Sequence, residues 1–315
     1  MTSVNLKSWF LVFVLAVALL IPTWAGAIEF KRIVVFGGSV SDPGNFFALT
    51  GITNAPPYDD LNPFLVPTGP YSIGGHHFSN GATWIEQFAR PLGLSRYVRP
   101  AFRGSSPHAT NYAVGGARAR DIPDTLDMTE QVAAFLNDLR NRTPSEALFV
   151  IDFGGNDVRD ALAAGNPGIL NDALDAIADN VAALYAVGAR KFLFLTVANI
   201  GSLPSVRILD DMIPADVAEA ATDLTVGFNA GLNLIIESLP ADVEVAVLDV
   251  FQKVEELIAN PSAFGLTEVE EACIMPNMPP FRCKKPNHYL FWDGIHPTKA
   301  VHAIFAEEAL NVLSD

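Results

Sequence analysis

Only two cysteines, Cys273 and Cys283, occur in 315 residues. Neither a disulfide-dense scaffold nor a zinc site built from cysteine pairs is therefore available. Basic residues are also scarce: 20 Lys and Arg stand against 35 Asp and Glu, a formal net charge of −15 at pH 7. A surface of that sign argues against nucleic acid and anionic membranes as electrostatic partners. The sequence has no internal repeats, low-complexity tracts or blocks of like charge to divide it, and its length suits one large α/β domain.

What the first stretch does contain is an export pattern. Lys7 precedes the apolar run Trp9 to Ile21, and Ala25-Gly26-Ala27 offers a cleavage site. Residues 1–27 are read as a secretory signal peptide and 28–315 as the mature domain. A membrane anchor is the alternative, but the run is short for a bilayer and is broken by Pro22-Thr23. Cleavage removes Lys7, the only charge before Ile28, and leaves the chain one unit more acidic, with no integral membrane segment. The expected product is a secreted or periplasmic monomer. In an oxidising compartment Cys273 and Cys283, ten positions apart, are expected to form a disulfide. The sequon Asn141-Arg142-Thr143 matters only in a host that glycosylates.

Apolar runs rich in Val, Ile and Phe recur at Lys31–Phe36, Ala147–Phe153, Lys191–Val197 and Val243–Val250, as buried parallel strands do. Ala109–Val114 is a weaker fifth. Helical spacing predicts helices over Pro214–Leu239, with Pro214 in the first turn, over Gly168–Gly188, and over Thr298–Leu313. Strands alternating with helices imply a parallel sheet covered on both faces, with ligands beyond the strands' carboxyl ends. Two long stretches, Thr50–His108 and Asn260–Trp292, fit neither period and are read as loops that shape a site or pack over the sheet.

Four segments at or near predicted strand ends carry chemistry. Phe36-Gly37-Gly38-Ser39 makes a tight turn that can expose Ser39, although a lone serine there also serves as a helix N-cap. The Gly-x-Ser-x-Gly elbow is not met, because Ser41 takes the last place. Gly154-Gly155-Asn156-Asp157 puts an amide at a strand end, where it can donate to an oxyanion or cap a helix. Gly115-Gly116 allows a backbone N–H to approach a ligand, or simply makes a turn. Asp293-Gly294-Ile295-His296 places a carboxylate where it can hold one imidazole tautomer and leave the other nitrogen as base. Metal binding by that pair ranks lower, since no second histidine shares the segment at ligand spacing.

Taken together and in this order, the segments resemble the GDSL (SGNH-hydrolase) esterase and lipase family, whose blocks read roughly Gly-Asp-Ser-Leu-Ser, Asn-x-Ala-x-x-Gly-Ala, Gly-x-Asn-Asp and Asp-x-x-His. The resemblance spans nearly the whole mature chain. It takes in Ser41, Asp42, Gly44, Asn45, Phe78-Ser79-Asn80-Gly81 and the Asn199–Pro204 turn. It implies Ser39 as nucleophile, His296 as general base and Asp293 as its orienter. The oxyanion would be held by the N–H groups of Ser39 and Gly116 and the amide of Asn156. The implied fold is a flavodoxin-like three-layer sandwich, with a five-stranded parallel sheet ordered 2-1-3-4-5 and helices on both faces.

The implied activity is hydrolysis of lipid-type or short acyl esters through an acyl-enzyme, with no cofactor and no metal. A carbohydrate acetyl esterase is the alternative within the family. The chain departs from the pattern at Gly38, where the family usually has aspartate, and at Val40 in place of leucine. That departure motivates a second alternative, a secreted binding protein on a catalytically impaired scaffold. A flavin or nucleotide binder is disfavoured because no Gly-rich phosphate loop follows the first strand. Phe46, Phe47, Leu61, Phe64, Leu65 and Phe281 are the expected acyl-contacting residues.

Overall fold

The structure is a computed structural model that describes residues 27–104, 108–139, 145–213 and 216–314. The signal peptide read in the first 27 residues falls outside the described part except for Ala27. The sequon Asn141-Arg142-Thr143 and the first-turn proline Pro214 also lie outside it.

Four parallel strands form the central sheet: β1 (Arg32–Gly37), β2 (Ala147–Asp152), β3 (Lys191–Leu195) and β4 (Glu244–Leu248), in the order β1-β2-β3-β4. Consecutive residues along β1, β2 and β3 are buried, without alternation, because helices cover both faces. The centre of the core is a row of rings, Tyr112, Phe36, Phe135, Phe149, Phe192 and Phe194, with neighbouring centroids 5.6–5.8 Å apart. Such edge and offset contacts add to the apolar area that each ring buries.

The helices are α1 (Asn45–Thr50), α2 (Trp84–Ala89), α3 (Met128–Leu139), α4 (Gly155–Ala164), α5 (Gly168–Ala186), α6 (Pro204–Met212), α7 (Val217–Glu237), α8 (Val250–Ala259) and α9 (Lys299–Ser314). Helix α3 packs on β1 and α5, and α4, α5 and α7 pack on one another; α9 packs on β4 and α2. The stripe expected on α7 is realised through Val217, Ala221, Phe228 and Leu232, which are buried. None of the described helices is long and apolar enough to cross a membrane.

The expected five-strand sheet ordered 2-1-3-4-5 needs correction. Ala109–Val114 does run beside β1: Val35 N–H donates to Thr110 O, and Tyr112 and Val114 N–H donate to Val35 O and Gly37 O, at 2.8–3.0 Å. It makes one bridge to β1, Val35 to Asn111, and one from Asn111 to Pro100, and is not a strand. The reason lies in competing partners. Thr110 N–H donates to Tyr97 O, and Gly37 N–H, the β1 donor that would reach Tyr112 O, goes to the Gln131 amide oxygen, while Asn111 O accepts from Ala101 N–H on the opposite edge. The long loop Asn260–Trp292 instead supplies a second, two-stranded parallel sheet, β5 (Glu268–Ala272) with β6 (Tyr289–Phe291).

The register fixes where function can sit. Gly37 is level with Asp152, and Leu195 with Leu248, so the strand ends form one rim. Behind the end of β6 lies a small separate core of Tyr58, Tyr71, Ile274, Trp292 and the Cys273–Cys283 disulfide. Cys273 N–H and Ile274 N–H donate to Phe291 O and Trp292 O, which couples the disulfide loop to the segment ending in Asp293. Replacing both cysteines by serine should lower stability by about 2–3 kcal/mol on the chain-entropy account. Guanidinium denaturation of wild type and double variant checks this; equal midpoints would show that the cross-link adds nothing.

Candidate active site

Two carboxylates, Asp42 fully buried and Asp152 half-buried, organise the rim. Asp42 accepts backbone N–H groups from Gly44 (2.7 Å), Asn45 (2.6 Å), Phe46 (3.0 Å) and Gly115 (2.9 Å). The turn after β1 is thereby tied to the Gly115-Gly116 turn. Asn45 adds side-chain bonds to the carbonyls of Asn111 and Ala113, and Gln131 pairs with both the N–H and the C=O of Gly37. Burial pushes the Asp42 carboxyl up to about 6, and the four amides pull against that rise. Asp152, at the end of β2, is likewise raised to about 6 by burial, opposed by the Ser41 hydroxyl at 2.6 Å. Trp84 Nε1–H donates to that same Ser41 oxygen.

Ser39 is partly exposed on the turn so held. It caps no helix: α1 begins at Asn45 with Gly44 before it. Its Oγ lies 2.8 Å from His296 Nε2. On the far side of the ring, Nδ1 lies 2.8 and 3.0 Å from the two oxygens of Asp293. Asp293 also accepts the N–H groups of Ile295 and His296 and the hydroxyl of Tyr71 at 2.8 Å. A carboxylate facing Nδ1 selects the tautomer protonated there, which leaves Nε2 as acceptor towards the serine. Asp293 and His296 are buried, and the Phe78 ring packs 5.3 Å from the imidazole.

The donors expected for an oxyanion lie around the same turn. Asn156 opens α4 without capping it, since Gly154 holds the N-cap position. Gly154 has φ +111°, and any Cβ there would strike Phe228 and Val197. Asn156 Nδ2–H donates to Ala117 O at 2.8 Å, which places it next to the Gly116 turn, while Arg159 Nη1 donates to its Oδ1 at 3.2 Å. Gly116 has φ +85° in open surroundings. Among the described residues, the N–H groups of Ser39 and Gly116 meet no acceptor. Asp157, the neighbouring acid, turns inward to accept Ala119 N–H.

A cavity of about 130 Å³ opens between Ser39, Asn156 and His296 and runs inward past Leu195, Val197, Val254, Leu290 and Phe305. Its walls correct the expectation about the loop aromatics, none of which lines it. Phe46 packs on Phe78, Phe47 stacks on His76, and Leu61 and Phe281 belong to the disulfide-side core. Phe64 and Leu65 press their backbones on Gly294. Sequence reasoning also missed Tyr71, Asp152 and Arg159. Only Arg159 left a usable signal, one helical turn after Asn156. Among the described residues, no group of three or more His, Cys, Asp or Glu side chains is placed to hold a metal ion.

The fold and this rim define a hydrolase that acts on esters, and the chain belongs to the GDSL-like Lipase/Acylhydrolase family, whose model matches residues 33–309. Its relatives include three proteins of Arabidopsis thaliana named GDSL esterase/lipase, which are 25, 28 and 26% identical to it. The alignments cover 90, 88 and 98% of this chain and 86, 80 and 97% of theirs. Among solved structures it is similar to an acetylxylan esterase from Geobacillus stearothermophilus, with a TM-score of 0.45 and 14% identity over 92% of this chain and 96% of that one.

Tyr71→Phe removes one of four donors to a buried carboxylate. It is expected to cost about 1.5–3 kcal/mol, the range for hydrogen bonds to charged groups. Chemical denaturation measures it, and a change below about 0.5 kcal/mol would show that Asp293 does not depend on that hydroxyl.

Proposed function

We propose that the protein is an exported serine ester hydrolase working through an acyl-enzyme on Ser39, with His296 as general base and Asp293 as its orienter. The observation that carries this reading is the unbroken line Ser39 Oγ, His296 Nε2, His296 Nδ1, Asp293, with successive contacts of 2.8 Å. These are distances at which a proton passes between partners without rearrangement.

The chemistry follows from that line. His296 Nε2 takes the hydroxyl proton as Ser39 Oγ bonds to the ester carbonyl carbon, and Asp293 stabilises the resulting imidazolium. The carbonyl oxygen, now an anion, accepts hydrogen bonds from Ser39 N–H, Gly116 N–H and Asn156 Nδ2–H, the last exchanging its present acceptor, Ala117 O, for the anion. The intermediate collapses as His296 returns its proton to the departing alkoxide. A water, deprotonated by the same nitrogen, then attacks the acyl-serine carbonyl, and as the bond to Oγ breaks His296 gives that proton to Ser39 and the acid is freed. No step needs a cofactor.

The acyl group fits the inner cavity. An apolar cavity of ~150 Å³ holds a benzene-sized guest, so the space here suits an acyl chain of roughly four to six carbons. This favours short lipid-type or acyl esters over acetylated sugars. Export rests on the N-terminal apolar run ending in Ala-Gly-Ala and agrees with a disulfide in the mature part. The second reading, a binding protein on an impaired scaffold, is motivated by Gly38 alone.

Ser39→Ala should abolish hydrolysis of p-nitrophenyl esters and labelling by a fluorophosphonate. Turnover equal to wild type would end the serine mechanism, and failure of the wild type to label would favour the impaired-scaffold reading. Asn156→Ala should lower kcat by ~10²–10³ with the fold intact. Across an acyl series the wild type should peak near butyrate or hexanoate, and Val254→Trp should move the peak to acetate. A peak that stays in place would remove the inner cavity from substrate binding.

A further inference from the structure

Arg159 lies one turn beyond Asn156 on α4 and lines the same cavity as Ser39 and His296, as the only lysine or arginine among its lining residues. The acids around it are committed elsewhere. Asp160 binds Arg118 at 2.9 and 3.0 Å and Arg120 at 2.6 Å. Asp157 stands 3.5 Å from Arg120, Asp293 holds His296 and Tyr71, and Asp152 holds Ser41. Among the described residues Arg159 has no carboxylate within ion-pair distance, and its one side-chain hydrogen bond goes to the neutral oxygen of Asn156. Burial disfavours its charged form, with nearby Asp160 opposing that effect.

A guanidinium carries five N–H donors in a planar fork that matches two anionic oxygens. Holding one partly buried without a counter-charge is unfavourable unless something arrives to pair with it. In a chain with so large an excess of acids, the general field repels anions. An anionic ligand therefore needs a dedicated local cation. The inner cavity offers no polar partner at Leu195, Val197, Val254, Leu290 or Phe305, so a charge at the far end of an acyl chain would be stranded there.

Resting on the hydrolase reading above, we propose that Arg159 receives an anionic oxygen group, carboxylate or phosphate, carried on the alcohol side of the ester close to the scissile bond. It is a specificity-determining residue: it pairs with a part of the substrate that does not react.

The test compares esters that differ only in charge. For the carboxylate, 4-(butyryloxy)benzoate is set against 4-(butyryloxy)benzamide; for the phosphate, dihexanoyl glycerol-3-phosphate is set against dihexanoylglycerol. The wild type should favour at least one anion in kcat/KM by about tenfold or more, the scale of a charge-assisted bidentate contact. Whichever anion is favoured identifies the group. Arg159→Met should bring that ratio to one or below, and Arg159→Lys should retain part of it. A role confined to holding the Asn156 amide would slow charged and neutral esters alike and leave the ratio unchanged, which overturns the proposal. A wild-type ratio at or below one for both anions overturns it too. If no ester is cleaved in a Ser39-dependent way, the hydrolase reading fails separately. Calorimetric binding of the uncleavable amides 4-butyramidobenzoate and 4-butyramidobenzamide then decides: Arg159-dependent preference for the carboxylate upholds the anion site, and equal affinity removes it.

Discussion

The rim of this sheet depends on one buried carboxylate. Asp42 gathers four backbone N–H groups from two turns that are about seventy residues apart in sequence. A neutral replacement that offers its own N–H groups would face donors with donors, so the arrangement requires an acceptor of this shape. The turn it fixes carries Ser39, and the turn it draws in carries Gly116. Their two unpaired N–H groups therefore sit on a frame set during folding and not on loops that must close later. Preorganisation of this kind is what allows dipoles to stabilise developing charge without reorganising first.

A second carboxylate, Asp293, does for the histidine what Asp42 does for the serine. Three of its hydrogen bonds come from Tyr71 and the two amides of its own turn, so its position does not rest on His296 alone. Behind it, Tyr71 packs edge-on against Trp292 at 5.6 Å, in the core that holds the disulfide. The cross-link thus stiffens a segment whose strand, β6, is only three residues long. The two halves of the site are anchored on different cores, and the 2.8 Å contact between Ser39 and His296 joins them.

What the sequence made legible follows from locality. Strands β1 to β4 announced themselves as unbroken apolar runs, and Ser39 and Asn156 sat in short motifs just after two of them, while Asp293 and His296 stood out by the Asp-x-x-His spacing alone. What stayed hidden depends on contacts distant in sequence. Ala109–Val114 reads as a strand by composition, yet its amides are shared with Tyr97 and Ala101, whose nearness no local pattern reveals. Tyr71 reaches Asp293 across 222 positions from a loop without periodicity. The acyl-contacting residues were sought in aromatic loops because loops shape sites on many scaffolds. In this protein the apolar walls come instead from strand ends and from the core-facing sides of α8 and α9, where a cavity wall and ordinary core have the same composition.

The departure at Gly38 can be judged against this frame. A Cβ at that position would meet only Asn156 Nδ2 at 3.6 Å and Ala117 O at 3.7 Å, ordinary contacts, so packing does not demand glycine there. The turn that carries Gly38 is held from three directions without a side chain at that position. Asp42 fixes its carboxyl-terminal side, Gln131 binds both polar groups of Gly37, and Ser41 is clamped between Asp152 and Trp84. The turn already has two carboxylates, Asp42 and Asp152, both raised to about 6 by burial. The acid that braces the serine turn, Asp152, stands on the neighbouring strand, and the residue beside Ser39 is left small.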